Sequence, residues 1–119
     1  MNSERSTAGS RLTICTTCAD GQGQALLEAV ENEALARDCP VPVRGQACMA
    51  ACGQSCTAAL QGAGKHSYLF GQLTPDEACV QALLTVAAEH AEPGDGLLAW
   101  SRRPERLKRS VLGRLPPLA

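Results

Sequence analysis

Apolar and polar residues alternate over Leu12-Thr13-Ile14, the two-residue period of a strand, and the run leads straight into Cys15. From Gln24 to Arg37 the period lengthens. Leu26, Ala29, Val30 and Ala34 recur at steps of three and four, while Glu28, Glu31 and Glu33 fall elsewhere on the wheel, which predicts a helix. Cys39-Pro40 ends it, because the residue before a proline avoids the α region. Val41 to Arg44 is a short extended run whose Pro42 lacks an N–H, so this strand belongs at or near a sheet edge. Thr57 to Gln61 and His66 to Phe70, separated by the turn Gly62-Ala63-Gly64-Lys65, predict an antiparallel hairpin. Thr74-Pro75-Asp76-Glu77 opens a second helix, with Thr74 as cap, Pro75 in the first helical position and Glu77 completing a capping box. Val80, Leu83, Leu84, Ala87 and Ala91 form its apolar stripe, and Pro93-Gly94 stops it beyond His90. A short basic helix is expected from Glu105 to Leu112, closed by Gly113, and Leu115 to Leu118 ends the chain extended.

The order strand, helix, strand, hairpin, helix gives a parallel βαβ unit followed by ββα. That is a small mixed four-stranded α/β sheet flanked by helices, the arrangement of a thioredoxin-like fold. Three segments follow: residues 1–10, polar and expected to be disordered; the folded domain, 11–100; and a basic C-terminal helix and tail, 101–119. At 119 residues the chain is one domain without internal repeats. Aromatic residues are limited to Tyr68, Phe70 and Trp100, so alanine, leucine and valine must fill the core.

Charge is divided along the chain. Residues 1–100 carry five basic and eleven acidic side chains, while residues 101–119 carry six basic (Arg102, Arg103, Arg106, Lys108, Arg109, Arg114) and only Glu105 as an acid. Neither part has the basic surface interleaved with aromatics of a nucleic-acid binder. The basic tail is expected either to pack as a solvated helix or to dock on an acidic redox partner or on the domain's own acidic face. No apolar run approaches the length of a membrane span. The start, MNSERSTAGSR, lacks the apolar stretch of a signal peptide. A cytoplasmic location is therefore expected, where cysteines mark metal or catalytic sites more often than disulfides.

Seven cysteines carry the chemistry. Cys15 and Cys18 form the CxxC of ICTTC at the C-terminal end of the first strand, where open α/β sheets place their ligands. Cys48, Cys52 and Cys56 follow one another at four-residue steps in RGQACMAACGQSC. Packing alone has no use for CxxC followed by CxxxCxxxC. Four thiolates from two loops could hold an iron–sulfur cluster, which needs two per iron. They could equally close a tetrahedral structural zinc site, although the intervening helix and strand exceed the span of compact zinc ribbons. A third reading is a CxxC thiol–disulfide oxidoreductase, which leaves the Cys48 triplet unexplained. Cys39, before Pro40, and Cys79, beside the second helix's stripe, are assigned to structure. His66 and His90 read as surface groups, and Glu28, Glu31, Glu33 and Glu89 as solvated helix faces. No acid/base pair, phosphate loop or Ser-His-Asp arrangement is present.

The cysteine loop after the first strand, ACMAAC before the hairpin and the proline-capped second helix together resemble the thioredoxin-like 2Fe-2S ferredoxins over residues 11–92. More narrowly, ICTTC, the cysteine triplet, GKHSYLFGQLTP and the closing RLPP resemble a bacterial family of metal-binding proteins of unknown function whose genes often lie near cobalamin-biosynthesis genes. The resemblance implies a thioredoxin-like fold and a 2Fe-2S cluster on Cys15, Cys18, Cys48 and Cys52, with Cys56 as an alternative ligand. It implies a small electron carrier or accessory redox protein, with no catalytic residue of its own. In those ferredoxins the first two cysteines are usually separated by four or more residues, against two here, so zinc and a different set of four thiols stay open.

Overall fold

The computed structural model describes residues 9–17, 21–47 and 56–117. The elements run β1 (Arg11–Cys15), α1 (Gln22–Ala36), β2 (Val43–Gln46), β3 (Ala58–Gln61), β4 (Ser67–Phe70), α2 (Glu77–Ala91) and β5 (Val111–Leu115). The strands form one five-stranded mixed sheet in the order β2-β1-β3-β4-β5. β1 and β2 are parallel, with Ile14 opposite Gly45, and the α1 crossover joins them. The β1–β3, β3–β4 and β4–β5 pairs are antiparallel. β2 is an edge strand, as Pro42 requires.

The sheet register sorts side chains by face. Leu12, Leu60 and Tyr68 lie in line, as do Ile14, Ala58 and Phe70, and all six are buried. They meet Leu26, Leu27 and Val30 of α1 and Val80, Leu83, Leu84 and Ala87 of α2 in a single core. The helices touch each other on that face, where the Gln81 amide donates to Glu33 across 2.9 Å. The opposite face carries Arg11, Thr13, Arg44, Ala59 and Gln61, and among the described residues no helix lies over it.

The tail corrects two expectations. A basic helix over Glu105–Leu112 is not formed. Glu105–Leu107 is a single 3-10 turn, and Val111–Leu115 is β5, which raises the strand count from four to five. Two contacts pull the segment off the helical path. Leu107 is fully buried in the core, and the Arg106 guanidinium donates to the Gln72 carbonyl at 2.9 Å and the Thr74 hydroxyl at 3.2 Å. With Gly71 N donating to the Ser110 carbonyl at 2.7 Å, Val111 enters the sheet beside Phe70. The second helix also begins later than its sequence suggested. Asp76, not Thr74, is the N-cap: its carboxylate accepts from Cys79 N at 2.9 Å and from the Thr74 hydroxyl. The cap position of α1 is Gly21, with φ 97°.

The end of the sheet at the β3–β4 turn is closed by buried polar groups. His90, expected at the surface, is fully buried. Its Nε2 lies 2.7 Å from the His66 carbonyl and its Nδ1 2.6 Å from the Ser10 hydroxyl. A carbonyl only accepts, so Nε2 carries the proton and Nδ1 accepts from Ser10. Lys65 is buried beside it, its ammonium donating to the His90 carbonyl at 2.5 Å and the Glu92 carbonyl at 2.6 Å, where it closes the C-terminus of α2. The predicted disorder of residues 1–10 therefore does not extend to Ser10; residues 1–8 lie outside the described residues.

Candidate metal centre

The opposite end of the sheet holds two of the four described cysteines. Cys15 is the last residue of β1, and Cys56 lies two residues before β3. Both thiols are exposed by 2%. Cys15 occupies an inner strand with a neighbour on each side. It pairs with Gln46 of β2 and donates its N–H to the Thr57 carbonyl at 3.0 Å. One residue on, Thr16 N donates to the Gln46 carbonyl at 2.9 Å. The Thr17 hydroxyl donates to the Ala47 carbonyl at 3.0 Å and lies 3.7 Å from Cys15 Sγ. Cys56 is fixed by a two-way backbone pair with Leu73, at 3.0 and 3.4 Å.

The start of α1 presses on this junction. A Cβ on Gly23 would lie 2.2 Å from the Cys15 carbonyl oxygen, so only glycine permits the helix to begin so close to the strand end. Gly45 has the same role on β2, where a Cβ would meet Thr16 Cγ2 at 2.6 Å and Leu27 Cδ2 at 2.9 Å.

Cys18, Cys48 and Cys52 lie outside the described residues. Among the described residues no group of three or more His, Cys, Asp or Glu side chains converges on a possible metal position. The described donors suit a thiophilic centre: two buried thiols, beside backbone groups and a threonine hydroxyl. Cys79 is fully buried at the start of α2, and burial pushes its thiol pKa up. Cys39 is half-buried against the core. Neither histidine reaches the cysteine end, since both belong to the turn at the far end of the sheet.

Sequence reasoning passed over Thr17, Gln46 and Thr57, which hold the cysteine segments to the sheet. A signal for the first was present in the CTTC tetrapeptide, where a hydroxyl two residues after a cysteine can reach its sulfur. The other two depend on strand register, which no local pattern encodes.

The solved structure of a thioredoxin-like [2Fe-2S] ferredoxin from Aquifex aeolicus superposes on this chain with a TM-score of 0.60 and 16% sequence identity, covering 94% of this chain and 98% of the ferredoxin. At that identity the likeness shows the fold, which is thioredoxin-like. No curated protein matches the chain. No helix among the described residues is long and apolar enough to cross a membrane. The family model described as "Protein of unknown function (DUF1636)" matches residues 12–117, and the chain belongs to that family.

Proposed function

We propose that this protein binds a 2Fe-2S cluster and acts as a small electron carrier or accessory redox protein. The cluster ligands are Cys15, Cys18, Cys48 and Cys52, with Cys56 the alternative fourth. The observation that carries this reading is the position of Cys15 between Gln46 and Thr57. Cys48 lies two residues beyond Gln46 along the chain, and Cys56 immediately precedes Thr57. Cys18 follows Thr17, which is bonded to Ala47, the residue before Cys48. Covalent linkage thus carries both cysteine-bearing segments from anchor points beside one strand end. The fold shared with a [2Fe-2S] ferredoxin supports the same reading.

A bound cluster supplies one-electron chemistry. The chain's own residues set its surroundings. The buried thiol of Cys15 would meet the centre in a water-poor setting, which raises the cost of added negative charge. The Thr17 hydroxyl, with one proton to share between the Ala47 carbonyl and Cys15 Sγ, can donate to a sulfur that has lost its own proton. Burial of Cys15 also weighs against thiol–disulfide exchange, because a reactive CxxC thiol needs solvent access. In a reducing cytoplasm, the location proposed for this chain, the cysteines stay available as ligands.

The test is anaerobic purification followed by a visible spectrum with iron, zinc and acid-labile sulfide analysis. The expected result is charge-transfer absorption, iron and sulfide in equal amounts, and bleaching on one-electron reduction. Single Cys→Ser variants at positions 15, 18, 48, 52 and 56 then identify the four ligands, while Cys39→Ser keeps its colour. Stoichiometric zinc that persists through attempted cluster reconstitution would overturn the cluster reading in favour of a zinc-stabilised interaction module.

A further inference from the structure

Among the described residues, helices cover one face of the five-stranded sheet only. On its open face β1, β2 and β3 place Arg11, Thr13, Arg44, Gln46, Ala59 and Gln61 around a shallow depression of about 430 Å³. Its side chains offer two guanidiniums, two carboxamides and a hydroxyl, with no carboxylate. Arg11 and Arg44 are exposed. Among the described residues neither has an ion pair or a side-chain hydrogen bond.

Most cations of the basic tail are already engaged inside the domain. Arg102 lies 3.6 Å from Glu89, Lys108 lies 3.7 Å from Glu105, Arg103 donates to the Leu98 carbonyl, and Arg106 ties the tail to Gln72 and Thr74. The expectation that the tail docks an acidic partner therefore transfers to different residues. Arg11 and Arg44 lie on adjacent strands of one face, two residues apart in register, because Arg44 is opposite Thr13. Gln46, two residues beyond Arg44 on β2 and opposite Cys15, extends this row to the end of β1. The open face thus runs from Arg11 and Arg44 to the end of the sheet where β1 reaches Cys15.

We infer that this open sheet face is the docking surface for an acidic protein partner, whose carboxylates pair with Arg11 and Arg44 and whose polar groups meet Gln46 and Gln61. The partner's role as an electron donor or acceptor rests on the cluster reading; the binding does not. A second copy of the chain is a poor occupant, since two-fold pairing of this face would bring Arg11 and Arg44 against their own copies, and like charges across an interface repel.

The test uses the full-length chain, ¹⁵N-labelled, with an octaglutamate peptide as probe. Saturable shifts of the Arg11 and Arg44 Nε–H resonances are expected, with affinity falling about tenfold between roughly 50 and 300 mM NaCl. The double variant R11E/R44E loses at least about tenfold in affinity while its urea midpoint and visible spectrum stay unchanged. Arg109→Glu, an exposed charge on the tail, leaves the affinity as it was. Shifts that fall on Arg109 or Arg114 instead, or no saturable shift, would overturn the inference. So would inorganic phosphate or citrate binding as tightly as the peptide, which marks a small-anion site, or concentration-dependent self-association that R11E/R44E abolishes. A colourless, cluster-free protein that still binds the peptide at Arg11 and Arg44 would remove the redox reading and leave the docking surface standing.

Discussion

Gly23→Ala sets two effects of opposite sign against each other at the junction of β1 and α1. Helix propensity alone favours alanine by about 0.8–1.0 kcal/mol in a helix interior. Packing opposes it. The added Cβ would lie 2.2 Å from the Cys15 carbonyl oxygen and 3.2 Å from the carbonyl carbons of Cys15 and Thr16. The first distance is roughly 1 Å short of van der Waals contact. The obstacle is backbone, held on both sides by Cys15 N to the Thr57 carbonyl and Thr16 N to the Gln46 carbonyl, so it cannot rotate away as a side chain would. The helix must move, which dislodges Leu26 and Leu27 from the core. Overpacking costs about 1–3 kcal/mol, and against a backbone oxygen held on both sides it falls in the upper half, about 2–3 kcal/mol, so the propensity gain offsets only part. The expected net loss is about 1–2 kcal/mol, read as a urea midpoint lowered by roughly 0.5–1 M. An unchanged or raised midpoint would mean that the junction relaxes freely, and would refute the claim that glycine is there to let α1 start against the cysteine strand.

Three further outcomes follow from named contacts. Lys65→Met removes two charge-assisted hydrogen bonds at the C-terminus of α2 and should cost about 2–3 kcal/mol in urea unfolding. Asp76→Ala removes the N-cap of α2 and should cost about 0.5–2 kcal/mol, with Asp76→Asn recovering most of it; the Thr74 hydroxyl and the Cys79 N–H hold the Asp76 carboxyl below its ordinary pKa, which marks the ionised form as the better acceptor. Burial, with Lys65 and His66 nearby, lowers the His90 pKa below its ordinary 6.5. The unfolded chain then binds the proton more readily, so this histidine's contribution is intact above that value and lost as the pH falls towards its folded-state pKa. Stability should therefore drop below pH 6.5 with a slope of up to about 1.4 kcal/mol per pH unit, and His90→Gln should flatten that part of the profile.

Where the sequence was informative, a local period or a turn signal agreed with the global fold. Leu26, Val30 and Ala34 identified the buried side of α1, and Pro42 marked β2 as an edge. The tail misled because its charges resemble a solvated helix, whereas its fate is decided at a distance. Arg106 finds the Gln72 carbonyl, 34 residues away in sequence, and Leu107 finds the core. His90 misled for a similar reason. On α2 it reads as a charged group near a helix end, but its two ring nitrogens are satisfied by Ser10 and the His66 carbonyl, 80 and 24 residues away. The cysteine pattern marked the end of the sheet where Cys15 and Cys56 sit, but not the threonines that fasten them, because Thr57 reaches Cys15 only through β1–β3 register. The open face was hidden for the same reason: Arg11 and Arg44 become neighbours only once β1 and β2 pair in parallel.

Small domains that need a metal to fold place it where the core would otherwise be missing. Here the core is continuous from Leu12 on β1 to Leu107 beyond α2, and among the described cysteines Cys15, Cys56 and Cys79 enter it as packed side chains. The chain is also closed at the end away from them. Ser10 is bonded to His90, Lys65 to the end of α2, and the Tyr68 hydroxyl accepts from Leu98 N at 2.9 Å while its ring lies edge-on to His90. These contacts join residues 10, 65, 68, 90 and 98 without using a thiol. The metal-free protein should therefore keep its fold: after mild acid or chelator removes any bound metal, far-UV circular dichroism should stay close to that of the purified form and thermal unfolding should stay cooperative. Collapse of the transition on metal removal would instead place the thiols among the supports of the fold, favour a structural zinc site over a redox centre, and require that the buried polar end be less stabilising than its satisfied hydrogen bonds indicate.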